Sequence, residues 1–141
     1  MKPIVRTERV ETPVMFLQVP GEPEQIRQAW EQLERIVGSR RGRKFYGISN
    51  PAAGTYRACV ELRDGDRADD LGLRTGVVEG GAYLRMRLKE RPASMYERIT
   101  AVFEELQEGN RRDRGRPRLE YYRRCDEVDV LMPVAPANLP D

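Results

Sequence analysis

The chain has 141 residues, 25 Lys and Arg against 23 Asp and Glu, and no His. That length sets one compact domain with its own core, spanning residues 1–141. The missing histidine excludes Ser-His-Asp and Cys-His nucleophile systems and His-bearing zinc sites, and a net charge of +2 is too small to point to nucleic acid by itself.

The opening MKPIVRTERVETP lacks the apolar core of a signal peptide, and no run approaches the roughly 18 apolar residues of a membrane span. Cys59 and Cys125 form no CxxC pair and read as small buried apolar residues. Their usage fits a reducing compartment, so the expected location is the cytoplasm. Residues 14–20 (VMFLQVP) read as a strand closed by Pro20-Gly21. From Pro23, the apolar positions Ile26, Ala29, Trp30, Leu33 and Val37 recur at helical steps, and Gly38 is the stop. Trp30 on this stripe reads first as a core residue. After the basic connector Ser39–Lys44, Phe45–Ser49 reads as a short strand and Asn50–Gly54 as a turn. Tyr56–Leu62 alternates, with Tyr56, Ala58, Val60 and Leu62 on one face. The acidic segment Asp64–Asp70 lacks EF-hand spacing and reads as a solvated loop.

The second half follows the same order. Ala82–Lys89 is a strand, and Gly76, Gly80 and Gly81 allow a bend on its approach, with Val77-Val78 read as its start. Ser94 is the N-cap candidate of a helix whose stripe is Tyr96, Ile99, Val102, Phe103 and Leu106, ended by Gly109-Asn110. An Arg-rich connector from Asn110 to Arg118 reads as a solvated loop. Leu119–Arg124 and Val128–Val134 are the last strands, turning near Cys125-Asp126, and 135–141 is a flexible tail. Trp30 and Ala101 mark the helix centres and Tyr56 and Glu127 open the hairpins, an offset of 71 residues in each case. Two strand-helix-strand-strand modules, about 14–62 and 75–134, imply an α+β antiparallel sheet with a groove where they meet.

Strand alternation in Arg118–Arg123 puts Glu120 and Tyr122 on one face and Leu119 and Tyr121 on the other. Two readings stand. Glu120 is either a half-exposed carboxylate paired with Arg57 or Arg85, or an anion in an aromatic groove suited to an organic cation. Tyr46 and Tyr83 each sit beside a glycine-containing bend near that groove.

Taken in order, Tyr46-Gly47-Ile48-Ser49-Asn50-Pro51, Tyr56-Arg57-Ala58-Cys59-Val60-Glu61, Val78-Glu79-Gly80-Gly81-Ala82-Tyr83, Leu119-Glu120-Tyr121-Tyr122 and Glu127–Val134 resemble the GyrI-like small-molecule-binding family. This is also the effector-binding domain of AraC-type and MerR-type multidrug regulators. The resemblance spans nearly the whole chain. It implies two modules around a pseudo-two-fold axis and a central cleft for amphipathic, aromatic or cationic small molecules. In the family a glutamate of the penultimate strand sits in that cleft, and the matching position is Glu120. Tyr122 follows on the same face, and Tyr46, Tyr83 and Trp30 are further wall candidates. The regulators' DNA-binding domain has no counterpart here, so the resemblance implies a stand-alone form without direct nucleic-acid contact. No cofactor, metal or membrane is implied, and the residues do not set an oligomeric state. Some stand-alone relatives resemble hydrolases of reactive cyclopropane-bearing natural products, for which Glu120 would be general base with Tyr122 beside it. A gyrase-modulating or protein-interaction role, through the acidic loop or the Arg cluster, is the third expectation.

Overall fold

The computed structural model describes residues 4–38, 42–107, 112–124 and 126–135. They form β1 (Ile4–Arg9), β2 (Thr12–Pro20), α1 (Pro23–Val37), β3 (Phe45–Asn50), β4 (Thr55–Glu61), β5 (Arg74–Val78), β6 (Gly81–Lys89), α2 (Pro92–Gln107), β7 (Arg118–Arg124) and β8 (Glu127–Pro133). All eight strands join one antiparallel sheet in the order β1-β6-β8-β7-β3-β4-β2-β5. The expected α+β class is therefore the observed one. The six inner strands read the same from either end when β2, β3 and β4 are exchanged for β6, β7 and β8.

Two short connections force this sheet to curl. Val10-Glu11 joins β1 to β2, and Glu79-Gly80 joins β5 to β6, yet each pair stands six places apart in the order. Six spacings across a flat sheet would be about 29 Å. Three residue steps reach only about 11 Å. The two edges must therefore come round towards each other. Gly80 marks their meeting: a Cβ there would lie 2.8 Å from the Arg9 carbonyl oxygen and from the Glu11 nitrogen. Gly81 has φ +121, which favours glycine. Arg116 pins the crossing by donating to the carbonyls of Gly80, Ala82 and Val134 at 3.1, 2.9 and 2.8 Å.

The curl divides the apolar residues into an inner core and two outer ones. Val14, Phe16, Tyr46, Ile48, Cys59, Val78, Tyr83, Leu119 and Leu131 fill the inside. On the outside, α1 packs over β2 and β4, and α2 over β8 and β6. Ala29 and Leu33 of α1 meet Met15, Phe45 and Val60, while Ile99, Val102 and Leu106 of α2 meet Met86 and Val130. Each of these side chains larger than Ala29 contributes about 1.5–3 kcal/mol by leaving water. Pro23 starts α1 with its φ already helical, and the Gly38 N–H (φ 85) closes it on the Glu34 carbonyl at 2.9 Å.

Several readings change. Val77-Val78 do not begin β6; they end β5, which pairs with β2. The N-terminal segment contributes an unexpected edge strand, β1, paired with β6. Helix α2 begins at Pro92, so Ser94 lies inside its first turn rather than capping it. Met95 takes the buried position next to Tyr96, which is 42% exposed. The Arg-rich connector is not simply solvated, because Arg116 is a half-buried clamp, its side chain 15% exposed. Within the acidic segment Asp66 takes both guanidinium nitrogens of Arg43 at 3.0 Å. Cys125, Gly109-Asn110 and the tail from 136 lie outside the described residues.

Candidate functional site

The central strands β3 and β7 lie beneath the gap between α1 and α2. Strand alternation aims Gly47 of β3 and Glu120 and Tyr122 of β7 outward into that gap, and Gly47 stands directly opposite Glu120 in the ladder. Tyr56 reaches the same place from β4, and Trp30 from α1. Glycine at position 47 makes room for the encounter. A Cβ there would lie 2.1 Å from the Tyr56 hydroxyl and 2.6 Å from Glu120 Oε1.

Glu120 is 6% exposed. Its Oε1 accepts from the Tyr56 hydroxyl at 2.7 Å and from the Tyr122 hydroxyl at 2.6 Å. Trp30 Nε1 donates to the Tyr56 oxygen at 3.1 Å, giving a chain Trp30 to Tyr56 to Glu120. No described donor reaches Oε2. Burial holds the Glu120 carboxyl above the ordinary carboxylate range, against the pull of the two phenols. Burial likewise raises the Tyr56 phenol, and the Glu120 charge adds to it. The Trp30 ring stands edge-on to Tyr122 at 5.1 Å between centroids and to Tyr56 at 6.4 Å.

Glu120 sits where two chambers of the gap meet. The larger, about 620 Å³, is walled by Trp30, Phe45, Met95 and Tyr122, with Arg27, Glu31 and Arg124 among its charged lining residues. The smaller, about 260 Å³, runs between Ser49, Thr100, Phe103 and Arg118. Ile26, Tyr56, Tyr96, Ile99 and Glu120 line both. Chemically, this is a cleft with aromatic and aliphatic walls, charged and polar groups in its lining, and one buried carboxyl at its floor.

The structure therefore brings Glu120, Tyr122 and Trp30 together. It does not bring Tyr46 or Tyr83 to them. Both point into the curled sheet, where Tyr46 stacks on Tyr121 at 5.1 Å and Tyr83 packs beneath the Arg116 guanidinium at 4.8 Å. Arg57 and Arg85 also belong to that other face by strand alternation, so neither pairs with Glu120. Tyr56 and Gly47 are site residues that the sequence reading missed. Tyr56 was assigned to the correct face, but its partner lies 64 residues away. The Cys59 thiol is buried, and burial raises its pKa well above the usual range, so it is an inert core group. Among the described residues no cluster of acidic or Cys side chains could hold a metal ion, and no helix is long and apolar enough to cross a membrane.

No family model and no curated sequence matches the chain. Solved structures do. It is similar to integron cassette protein VCH_CASS2 from the mobile metagenome of Vibrio cholerae, with a TM-score of 0.71 and 17% identity over 94% of this chain and 95% of that one. It is similar to SAV2435 bound to tetraphenylphosphonium, with a TM-score of 0.62 and 12% identity over 94% of each chain. A hydrolase from Listeria innocua follows, with a TM-score of 0.60 and 13% identity over 95% of this chain and 92% of that one. The chain has their fold.

Proposed function

We propose that the chain is a small-molecule-binding protein of the GyrI-like kind, which takes amphipathic, aromatic or cationic compounds into the cleft between α1 and α2. The observation that carries this reading is the state of Glu120. It is a buried carboxyl with one oxygen held by two phenols and the other without a donor among the described residues, beside two chambers with aromatic and aliphatic walls. In such a site apolar walls supply most of the affinity, and one placed polar group sets orientation and charge preference. A desolvated carboxylate gains from an organic cation, and the surrounding rings add cation–π attraction. SAV2435, which has the same fold, was solved with a lipophilic cation bound. In this reading the segments 14–62 and 75–134 are the two modules, each giving one helix to the cleft.

The test is a calorimetric titration with tetraphenylphosphonium. Glu120→Gln weakens binding by about 1–3 kcal/mol, the scale of a charge-assisted contact. Equal affinities would remove Glu120 as the anchor.

A hydrolase is the second reading. It is favoured by the raised pKa of Glu120, which suits a general base, and by the phenols beside it. Glu120 would take a proton from water while a tyrosine hydroxyl donates to the opening group of a reactive cyclopropane compound. Product formation lost in Glu120→Gln supports this reading; stoichiometric binding without product rejects it.

A further inference from the structure

Glu120 is not the only charge in the cleft. Arg118 precedes it by two residues on the same face of β7, about 7 Å along the strand. Both side chains line the smaller chamber, while Glu120 alone of the two also borders the larger. They do not pair with each other. Among the described residues no carboxylate lies within ion-pairing distance of Arg118. The guanidinium is instead held in place by apolar and neutral groups. It lies 5.0 Å from the Phe103 ring centroid, and the Gln107 amide stands beside it; with that amide's oxygen and nitrogen exchanged, as the neighbouring donors favour, the oxygen accepts from Arg118 Nε at 3.2 Å and from Nη2.

Positive charge weighs more on Arg118 than negative charge does. Burial and the nearby Arg112 hold it below the ordinary guanidinium range, only partly offset by Glu104. Arg112 itself has a buried Nε with no partner among the described residues and is crowded by Arg114. Ser49, opposite Arg118 in the β3–β7 ladder, also lines this chamber, and no described group bonds its hydroxyl. A half-buried cation set beside Arg112, with a hydroxyl nearby that no described group bonds, is an arrangement that an oxyanion completes.

We infer that the smaller chamber receives an acidic group of the ligand, so the preferred ligand is a zwitterion: an aromatic cation at Glu120 joined by a short chain to a carboxylate at Arg118. This rests on the small-molecule reading of the cleft given above. The aromatic body occupies the larger chamber, the positive centre stands at the junction beside Glu120, and the chain extends along β7. The carboxylate then accepts from the guanidinium and from Ser49, and it offsets the repulsion between Arg118 and Arg112.

Two matched probes test this: butyltriphenylphosphonium and (3-carboxypropyl)triphenylphosphonium, titrated calorimetrically into the full chain at neutral pH. The wild type binds the carboxylated probe about tenfold more tightly, the fold-change of a single charge-assisted hydrogen bond. Arg118→Gln brings the ratio of the two dissociation constants to about one, and Arg118→Lys restores part of it. Comparable affinities of the wild type for both probes would overturn the inference and leave the small-molecule reading standing. Binding of neither probe would overturn both. The wild-type comparison decides even where a variant fails to fold.

Discussion

Strand β7 faces two environments that treat aromatic rings in opposite ways. On its inner side Tyr121 stacks on Tyr46, and the Arg9 guanidinium lies over both rings at 5.1 and 5.7 Å. Arg57 and Arg74 lie over Phe16 in the same way, and Arg116 over Tyr83. The protein fills its own cation–π positions there. On the outer side Trp30, Tyr56 and Tyr122 surround a carboxyl beneath a gap between helices, and no described guanidinium lies over the rings of Trp30 or Tyr56. In the proposed function a ligand's cation takes the place at Trp30 and Tyr56 that Arg9 takes at Tyr46 and Tyr121. Aromatic content alone does not locate a binding site; what matters is whether the chain's own cations already occupy the rings.

The sharpest way to separate the two faces is to damage the inner one. Arg116→Met removes charged donors from three part-buried carbonyls and lowers stability by about 3 kcal/mol in urea unfolding. Affinity for tetraphenylphosphonium is expected to stay unchanged in the folded variant. A parallel loss of affinity would show that the faces are not independent. Next comes Gly47→Ala, which drives a methyl group into the Tyr56–Glu120 contact. Its expected cost is about 2 kcal/mol of stability, read by the same unfolding, together with weaker cation binding.

Glu120→Gln gives a smaller effect with a diagnostic sign. The folded carboxyl has a raised pKa, so its contribution to stability is full below the ordinary glutamate value of about 4.3 and is lost as pH rises through the folded value. Stability measured from pH 4 upward therefore declines more in the wild type than in Glu120→Gln. Parallel curves would show that burial does not penalise this charge. Cation affinity runs the opposite way, rising with pH as the carboxylate forms. The smallest change is Tyr56→Phe, which removes one of the two hydroxyls on Oε1 at a cost of about 1 kcal/mol. It also moves the midpoint of the pH-dependent binding further up, because a donor that favours the charged form is gone.

Much of this was legible in the chain. Periodicity located both helices, and alternation separated Glu120 and Tyr122 from Leu119 and Tyr121. The edge strands were not legible. Ile4–Arg9 carries mostly polar and charged residues, and Arg74–Val78 is short and interrupted by Gly76, so neither shows a buried-strand pattern. Tyr46 and Tyr83 were misplaced because alternation gives a face only within one strand. Relating the face of Tyr46 to that of Glu120 needs the β3–β7 register, in which Tyr46 stands opposite Tyr121. The hydrogen bond from Tyr56 to Glu120 depends on that same long-range pairing and on the absence of a side chain at Gly47.

The proposed function puts the ligand on the open outer face, with Glu120 at its floor. A crystal structure of the chain grown with tetraphenylphosphonium tests it most directly. The phosphonium is expected between α1 and α2, with its phenyl groups against Trp30 and Tyr122 and Glu120 Oε2 turned towards the cation. A phosphonium lodged elsewhere, with Glu120 still facing an unfilled cleft, would contradict it.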